Sequence, residues 1–255
     1  MTVLAVVQAR MTSSRLPGKV LEPLGGRPMI LRQLERLKSA KTIDDIVVAT
    51  SRDTSDDALV RVLEENGWAV ERGSLDDVLD RFLGVLQRWP TDAVARITAD
   101  CPLLSPLVVD TVVRAYLSSG VDYASNTLDP SYPDGLDVEV FSTAALRELV
   151  DLDLDDDERE HVTLGLYRRP SRFTLLNVED STSDNSSLRW TVDNADDLAF
   201  VRWVYDELDV PGGFEYADVL ELIARHPERS RTSDHAVRNA ALIGKETGVM
   251  KGPDS

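Results

Sequence analysis

The chain runs to 255 residues, of which 42% are hydrophobic, 29% charged and 6% aromatic, the balance of one large globular domain with an appendage. A formal charge of −17 argues against a general nucleic-acid surface, and no apolar run approaches the roughly 20 residues that cross a bilayer. The single cysteine, Cys101, leaves no internal disulfide to form, so a cytoplasmic setting is expected.

From the amino end, residues 3–7 (VLAVV) form an apolar run without polar alternation, the pattern of a central parallel strand covered on both faces. That reading is preferred to a transit peptide, which the lack of acids before Glu22 superficially suggests. Met29, Ile30, Leu34 and Leu37 then recur at helical spacing. Residues 46–50 (IVVAT) give a second strand, Leu59, Val60 and Leu63 a second helix, and residues 68–71 a short third strand. Val78, Leu79, Phe82, Leu83, Leu86 and Trp89 make a wide apolar helical stripe that Pro90 stops. Residues 93–97 are the fourth strand, and Ser105-Pro106 supply an N-cap and first-turn proline for a helix through Leu117.

Four strand–helix alternations within about 115 residues predict an α/β fold with a Rossmann-like, mostly parallel central sheet. Beyond residue 120 the spacing becomes uneven. Strands are expected at 121–125, 137–141, 172–178 and 189–192, as the second half of the sheet and a small acceptor-side lobe. Asn194 should cap a helix through Leu208. Pro211-Gly212-Gly213 marks a boundary between a domain of residues 1–210 and a helical extension of residues 211–255, with amphipathic stretches at 216–226 and 234–247.

The charge is unevenly distributed. Residues 1–41 carry eight Lys/Arg against Glu22 and Glu35, a net +6, which leaves −23 for the remainder. A basic island in an acidic chain suits a compact anion such as a polyphosphate better than a polymer. Arg32, Arg36 and Lys38 read equally well as solvated helix charges. Arg10, Arg15 and Lys19 do not, because they lie in the loop QARMTSSRLPGK directly after the first strand, where an α/β sheet receives its ligand. Known phosphate loops do not fit: a Walker A motif needs Gly at Ser13 and Ser/Thr at Val20, and no GxGxxG is present.

The stretch VVQARMTSSRLPGKVLEPLGGRPMI closely resembles the opening of cytidylyltransferases that activate sugar acids. The resemblance is strongest to the spore coat polysaccharide biosynthesis protein F group, relatives of CMP-Kdo and CMP-sialic acid synthetases. It continues through VVATS (47–51), RGSLDDVLDRF (72–82), RITADCPL (96–103), PDGLDVEVF (133–141), EREHV (158–162) and RWTVDNADDL (189–198). It implies a nucleotidyltransferase fold of the GT-A type and a Mg²⁺-dependent reaction, in which an acceptor oxygen attacks the α-phosphate of CTP and pyrophosphate leaves. Such chemistry asks the protein chiefly for positioning and charge neutralisation. By resemblance, Arg10, Arg15 and Lys19 bind the triphosphate, with Lys19 at the α-phosphate and Arg15 at the β/γ-phosphates. Ala9 and backbone N–H groups around Ser13 and Ser14 add an anion-binding concavity.

Asp100, after the fourth strand, and Asp193, after RWTV, match the family's metal-binding acids. The turn after Asp193 reads Asn194-Ala195-Asp196-Asp197, without the proline common in relatives. Ser74 resembles the base-recognition position, with Arg81 beside it. Ser74 also reads as part of an N-cap box with Asp77, and one residue can serve both roles. Asp137 and Glu139 alternate with Val138 and Val140, which would put both carboxylates on one strand face, toward an acceptor or toward solvent. Arg159 and His161 belong to the acceptor side by the EREHV resemblance. The acidic run 151–160 fails as an EF-hand, since Asp156 and Val162 stand where Gly and Glu are required, and reads as a solvated loop. Cys101 reads as a packing residue, and His226 and His235 carry no signal. The partners implied are CTP and a small sugar-like acceptor, with no nucleic acid, no membrane and a homodimer by resemblance. Alternatives are a nucleotidyltransferase using another nucleotide or a phosphosugar or phosphonate acceptor, a GT-A-like glycosyltransferase, or an inactive nucleotide-binding relative. The glycosyltransferase is disfavoured by the absence of an Asp-x-Asp at Asp100.

Overall fold

In the computed structural model, which describes residues 1–208 and 213–232, the amino half alternates strand and helix as expected. In chain order its elements are β1 (Val3–Gln8), the short hairpin β2 (Pro23–Leu24) and β3 (Arg27–Pro28), α1 (Met29–Leu37), β4 (Asp45–Ser51), α2 (Asp57–Glu65), β5 (Ala69–Gly73), α3 (Val78–Arg88), β6 (Ala93–Thr98) and α4 (Pro106–Ser119). The later half contributes β7 (Tyr123–Ser125), β8 (Glu139–Ser142), α5 (Thr143–Val150), α6 (Asp156–Glu160), α7 (Leu164–Tyr167), β9 (Leu175–Asn177), α8 (Ala195–Leu208) and α9 (Tyr216–Arg225). Seven strands make one sheet in the order β5-β4-β1-β6-β8-β7-β9. The first four run parallel, while β8 is antiparallel to both β6 and β7.

β1 shows why this sheet is buried on both faces. Val3, Ala5 and Val7 join one core cluster with residues of α1, α4, α8 and α9, whereas Leu4 and Val6 join a second with residues of α3 and α5. Side chains alternate across a strand, so a continuous apolar run serves two helical layers at once. The end of α3 lies where Trp89-Pro90 stop it, and Ser105 caps α4 by accepting from Val108 N at 3.4 Å. Asn194 likewise accepts from Asp197 N at 3.0 Å at the start of α8. Val219, Leu222 and Ile223 of α9 pack into the same core as β1. The expected stretch 234–247, with His235, lies outside the described residues, as do residues 209–212 of the expected boundary.

Three expectations for the later half are corrected. Residues 189–192 form no strand: Arg189 makes only an isolated parallel bridge to Asp134, because this stretch is held against loops rather than a sheet edge. The acidic run is not a loop throughout. Asp155 and Glu158 form a reciprocal capping box that opens α6, and acids in a first turn suit the helix dipole. The strand expected at 137–141 begins only at Glu139, since buried Asn126 takes the ladder's place. Its Oδ1 accepts from Val138 N at 2.9 Å and its Nδ2 donates to Leu136 O at 2.8 Å. Asp137 therefore lies outside the strand that carries Glu139.

Candidate active site

β1 is flanked by parallel β4 and β6, and its crossover to β4 leaves a crevice between the carboxyl ends of β1 and β6, the usual ligand position in such sheets. A cleft of about 230 Å³ lies there. Eight of the residues anticipated from sequence line it: Ala9, Arg10, Ser13, Ser14, Arg15, Lys19, Asp100 and Asp193.

The loop that carries the cations is held at both ends. Ala9 N donates to Ala49 O at 3.1 Å, and Gly18 N closes the loop onto Met11 O at 2.9 Å. Fully buried Asp56, not anticipated, holds its middle by accepting from Met11 N at 2.7 Å and from Thr50 Oγ1 at 3.0 Å. Ser13 N donates to Met11 O at 3.0 Å, so this one N–H of the expected concavity is turned into the loop.

Lys19 is buried, and its ammonium donates to three acceptors: Val192 O at 2.7 Å, Asp193 Oδ1 at 3.0 Å and Asp100 Oδ2 at 3.2 Å. Asp100 and Asp193, 81 and 174 positions from Lys19 in sequence, are thus joined by one side chain. The backbone brings the two aspartates together: Val192 N donates to Asp100 O at 2.8 Å, and Thr191 Oγ1 to the same oxygen at 3.2 Å. Burial alone pulls the Lys19 pKa down, but Asp100 and Asp193 more than offset it and the net shift is upward. Burial pushes Asp100 up, and the Lys19 ammonium with the Thr98 hydroxyl reverses this to a net lowering. Both groups stay charged at neutral pH. Cys101 goes the other way, raised by burial and by Asp100, which keeps it a neutral thiol.

Asp193 is held from its other oxygen too. Oδ2 accepts from Arg189 Nη2 at 2.6 Å and pairs with Arg15 Nη2 at 2.9 Å. Arg189 also donates to Asp134 at 2.8 Å and to buried Asp197 at 3.3 Å. Gly135 lets Asp134 reach this position: its φ is +112°, and a Cβ there would stand 2.6 Å from Thr191 N. Arg189, Asp134 and Asp197 were not anticipated, although all three fall inside the motifs PDGLDVEVF and RWTVDNADDL.

The remaining anticipated residues lie outside this cleft. Ser74 does not cap α3; Asp77 does, by accepting from Asp80 N at 2.9 Å, while Ser74 Oγ accepts from Asp77 N at 3.0 Å. Arg81, 1% exposed, braces that turn by donating to Ser74 O at 2.6 Å and Leu75 O at 3.0 Å. Arg159 donates to Asp77 at 2.7 Å, which ties α6 to α3. Half-buried His161 ends α6. Asp137 is half-buried, and its charge adds to the raising of the Cys101 thiol. Glu139 is buried in a separate network with Arg96, and accepts from Tyr123 Oη at 2.7 Å and Thr163 Oγ1 at 2.5 Å. Arg96 donates onward to Gln8 at 3.1 Å, at the cleft wall.

A doubly wound sheet with cations and two carboxylates at its switch point puts charge where such sheets receive their ligand. The cytidylyltransferase family model matches residues 4–198. The spore coat polysaccharide biosynthesis protein SpsF of Bacillus subtilis is 30% identical over 232 residues, covering 89% of this chain and 95% of that protein. The solved structure of a cytidylyltransferase from Leptospira borgpetersenii has a TM-score of 0.86 at 29% identity, covering 92% of this chain and 98% of that one. The CMP-2-keto-3-deoxy-manno-octonic acid synthetase, solved with CTP, shares the fold with a TM-score of 0.63 at 19% identity, over 81% of this chain and 99% of that one. The chain is a nucleotidyltransferase, and within that class it belongs to the cytidylyltransferase family. Among the described residues no helix is long and apolar enough to cross a membrane.

Proposed function

We propose that the protein transfers CMP from CTP to a sugar acid or sugar-like acceptor, with release of pyrophosphate. An acceptor oxygen attacks the α-phosphorus in line, and the bond from that phosphorus to the bridging oxygen of the β-phosphate breaks. The observation that carries this reading is Lys19, whose ammonium sits between Asp100 and Asp193 beside Arg15 and Arg10 in the switch-point cleft. Three cations beside two carboxylates suit a triphosphate arriving with a divalent metal. Mg²⁺ characteristically takes one or two carboxylates together with phosphate oxygens. Among the described residues there is no cluster of three His, Cys, Asp or Glu that would make a protein-only cage, so the donor set fits Mg²⁺ delivered with nucleotide. Asp100 and Asp193 would hold it, and it would neutralise charge on the phosphates.

Lys19 would then serve the α-phosphate and the leaving oxygens, Arg15 and Arg10 the β/γ-phosphates, and Ser74 the base. The acceptor side is assigned to Asp137, Arg159 and His161. Glu139 belongs to that side as a support, because its carboxylate is already taken by Arg96, Tyr123 and Thr163. A cytoplasmic homodimer, with residues 1–210 as the transferase domain and 211–255 as an extension, completes the proposal. The test is a thermal-shift comparison with Mg²⁺, since a ligand that binds the native state raises its apparent stability. CTP is expected to stabilise more than ATP, GTP or UTP, and equal shifts for all four remove the cytidylyl reading. A pyrophosphate-release screen with CTP across sugar acids, phosphosugars and phosphonates then identifies the acceptor.

A further inference from the structure

After α9 the chain turns back along α8 and reaches the residues that support the cleft. The His226 ring meets Trp203 edge-on at 5.7 Å, and the Arg229 guanidinium lies over the same ring at 5.0 Å. Beyond them Arg231 O accepts from Arg189 N at 2.9 Å, and Thr232 bridges Leu188 in antiparallel register. The Arg231 side chain then reaches Asp197, with Nη2 3.0 Å from Oδ1. Asp197 is 1% exposed, and its other oxygen accepts from Arg189 Nη2 at 3.3 Å and from the N–H groups of Asp193 at 3.0 Å and Asn194 at 3.2 Å.

Arg189 therefore has three carboxylates around it, those of Asp134, Asp193 and Asp197. A buried carboxylate needs a full counter-charge. With Arg231 in place, Asp197 has a second guanidinium, and Arg189 keeps its 2.6 Å contact with Asp193. Without Arg231, Arg189 is the one guanidinium left on Asp197, beside the N–H groups of Asp193 and Asn194, and Asp193 competes for it. Asp193 pairs directly with the Lys19 ammonium at 3.0 Å. We infer that Arg231, through Asp197 and Arg189, is a positioning residue that fixes Asp193 against Lys19 for nucleotide binding. It lies beyond residues 4–198, the part that matches the family model. The inference rests on the reading of this cleft as the CTP site.

The experiment uses the full chain and three variants: Arg231→Gln, Arg231→Lys and, as a control in the same segment, Arg229→Gln, which removes the contact to Trp203 without touching Asp197. CTP affinity with Mg²⁺ is measured by titration calorimetry. Arg231→Gln is expected to weaken CTP binding about tenfold, the scale of one charged hydrogen bond. Arg231→Lys should restore most of it, and Arg229→Gln should stay within about twofold. Equal losses for the Arg229 and Arg231 variants, or no loss for Arg231→Gln, overturn the inference. A nucleotide-free readout separates this from failure of the CTP reading, which would show as wild-type protein binding no CTP. In urea unfolding, the midpoint shifts of Lys19→Ala and Arg231→Gln should be non-additive, because both act on Asp193 although they do not touch. Additive shifts also overturn it.

Discussion

Replacing Glu139 by Gln separates a structural carboxylate from an acceptor-binding one. The Glu139 and Arg96 side chains are each 11% exposed and paired with one another. Glu139 Oε1 also accepts from the hydroxyls of Tyr123 and Thr163. Gln keeps the shape but offers one acceptor oxygen, and its NH₂ must face either a guanidinium or a hydroxyl donor. Breaking a buried pair by removing one charge costs about 3–5 kcal/mol, and the retained oxygen places this change near the lower end, about 3 kcal/mol. For 255 residues the unfolding entropy near the midpoint is about 0.5 kcal/mol per kelvin, so the melting temperature should fall by about 6 °C. Calorimetry measures it. Arg96→Met combined with Glu139→Leu should recover much of the loss, because no charge is then left unpaired. A Glu139→Gln protein melting within about 1 °C of wild type, but with weakened acceptor binding, would refute the structural assignment.

Three further predictions follow from the cleft. Lys19→Ala and Asp100→Asn should each abolish pyrophosphate release from CTP while the circular dichroism spectrum stays that of the wild type. The Lys19–Asp100 pair should also set a pH window. Lys19 is raised, so its contribution is complete below the ordinary lysine value of 10.5 and is lost as pH rises through the folded value. Asp100 is lowered, so its contribution is present above the ordinary 3.8 and is lost as pH falls through the folded value. The urea midpoint difference between wild type and Lys19→Ala should therefore be full at neutral to mildly alkaline pH and shrink as pH rises through the Lys19 value. It should also shrink as pH falls through the range in which Asp100, pushed up by burial once its ammonium partner is gone, takes up a proton in the variant. Finally, Gly135→Ala puts a methyl 2.6 Å from Thr191 N and 2.7 Å from the Trp190 carbonyl carbon, at φ +112°. That single Trp190–Thr191 peptide group is backbone and cannot yield cheaply, so a loss of about 3 kcal/mol is expected in urea titration.

Much of the fold is legible where burial and periodicity coincide. The run Val3–Val7 has no polar residue because β1 is central and helices cover both its faces, and with the strand–helix alternation that follows it marks a mostly parallel sheet. Ser105-Pro106 and Asn194 announce helix starts because capping is local chemistry. Local signals fail where the partner is distant. Residues 189–192 look like a strand by composition, yet their hydrogen bonds go to Asp134, Asp100 and Arg231. Val138 looks like a ladder residue, but the side chain of Asn126 satisfies its N–H. Nothing within five residues of either position carries that information.

The site divides along the same line. Arg10, Arg15 and Lys19 stand out because cations in a small-residue loop after a strand have few purely structural uses, and Asp100 and Asp193 because the motifs RITADCPL and RWTVDNADDL that carry them resemble the family's. Their supports look ordinary in sequence. Asp56 sits in SRDTSDDAL, where acids ahead of α2 read as first-turn helix charges, yet Asp56 is the one turned inward onto Met11 N and Thr50. Arg189 looks like an exposed strand residue, and only the packing of Gly135 against Trp190 and Thr191 brings Asp134 within 2.8 Å of it. A ligand-facing charge is recognisable by its type and its place at a strand end. A charge that holds another charge is recognisable only by what it touches, and here the touching residues come from four separate stretches of chain.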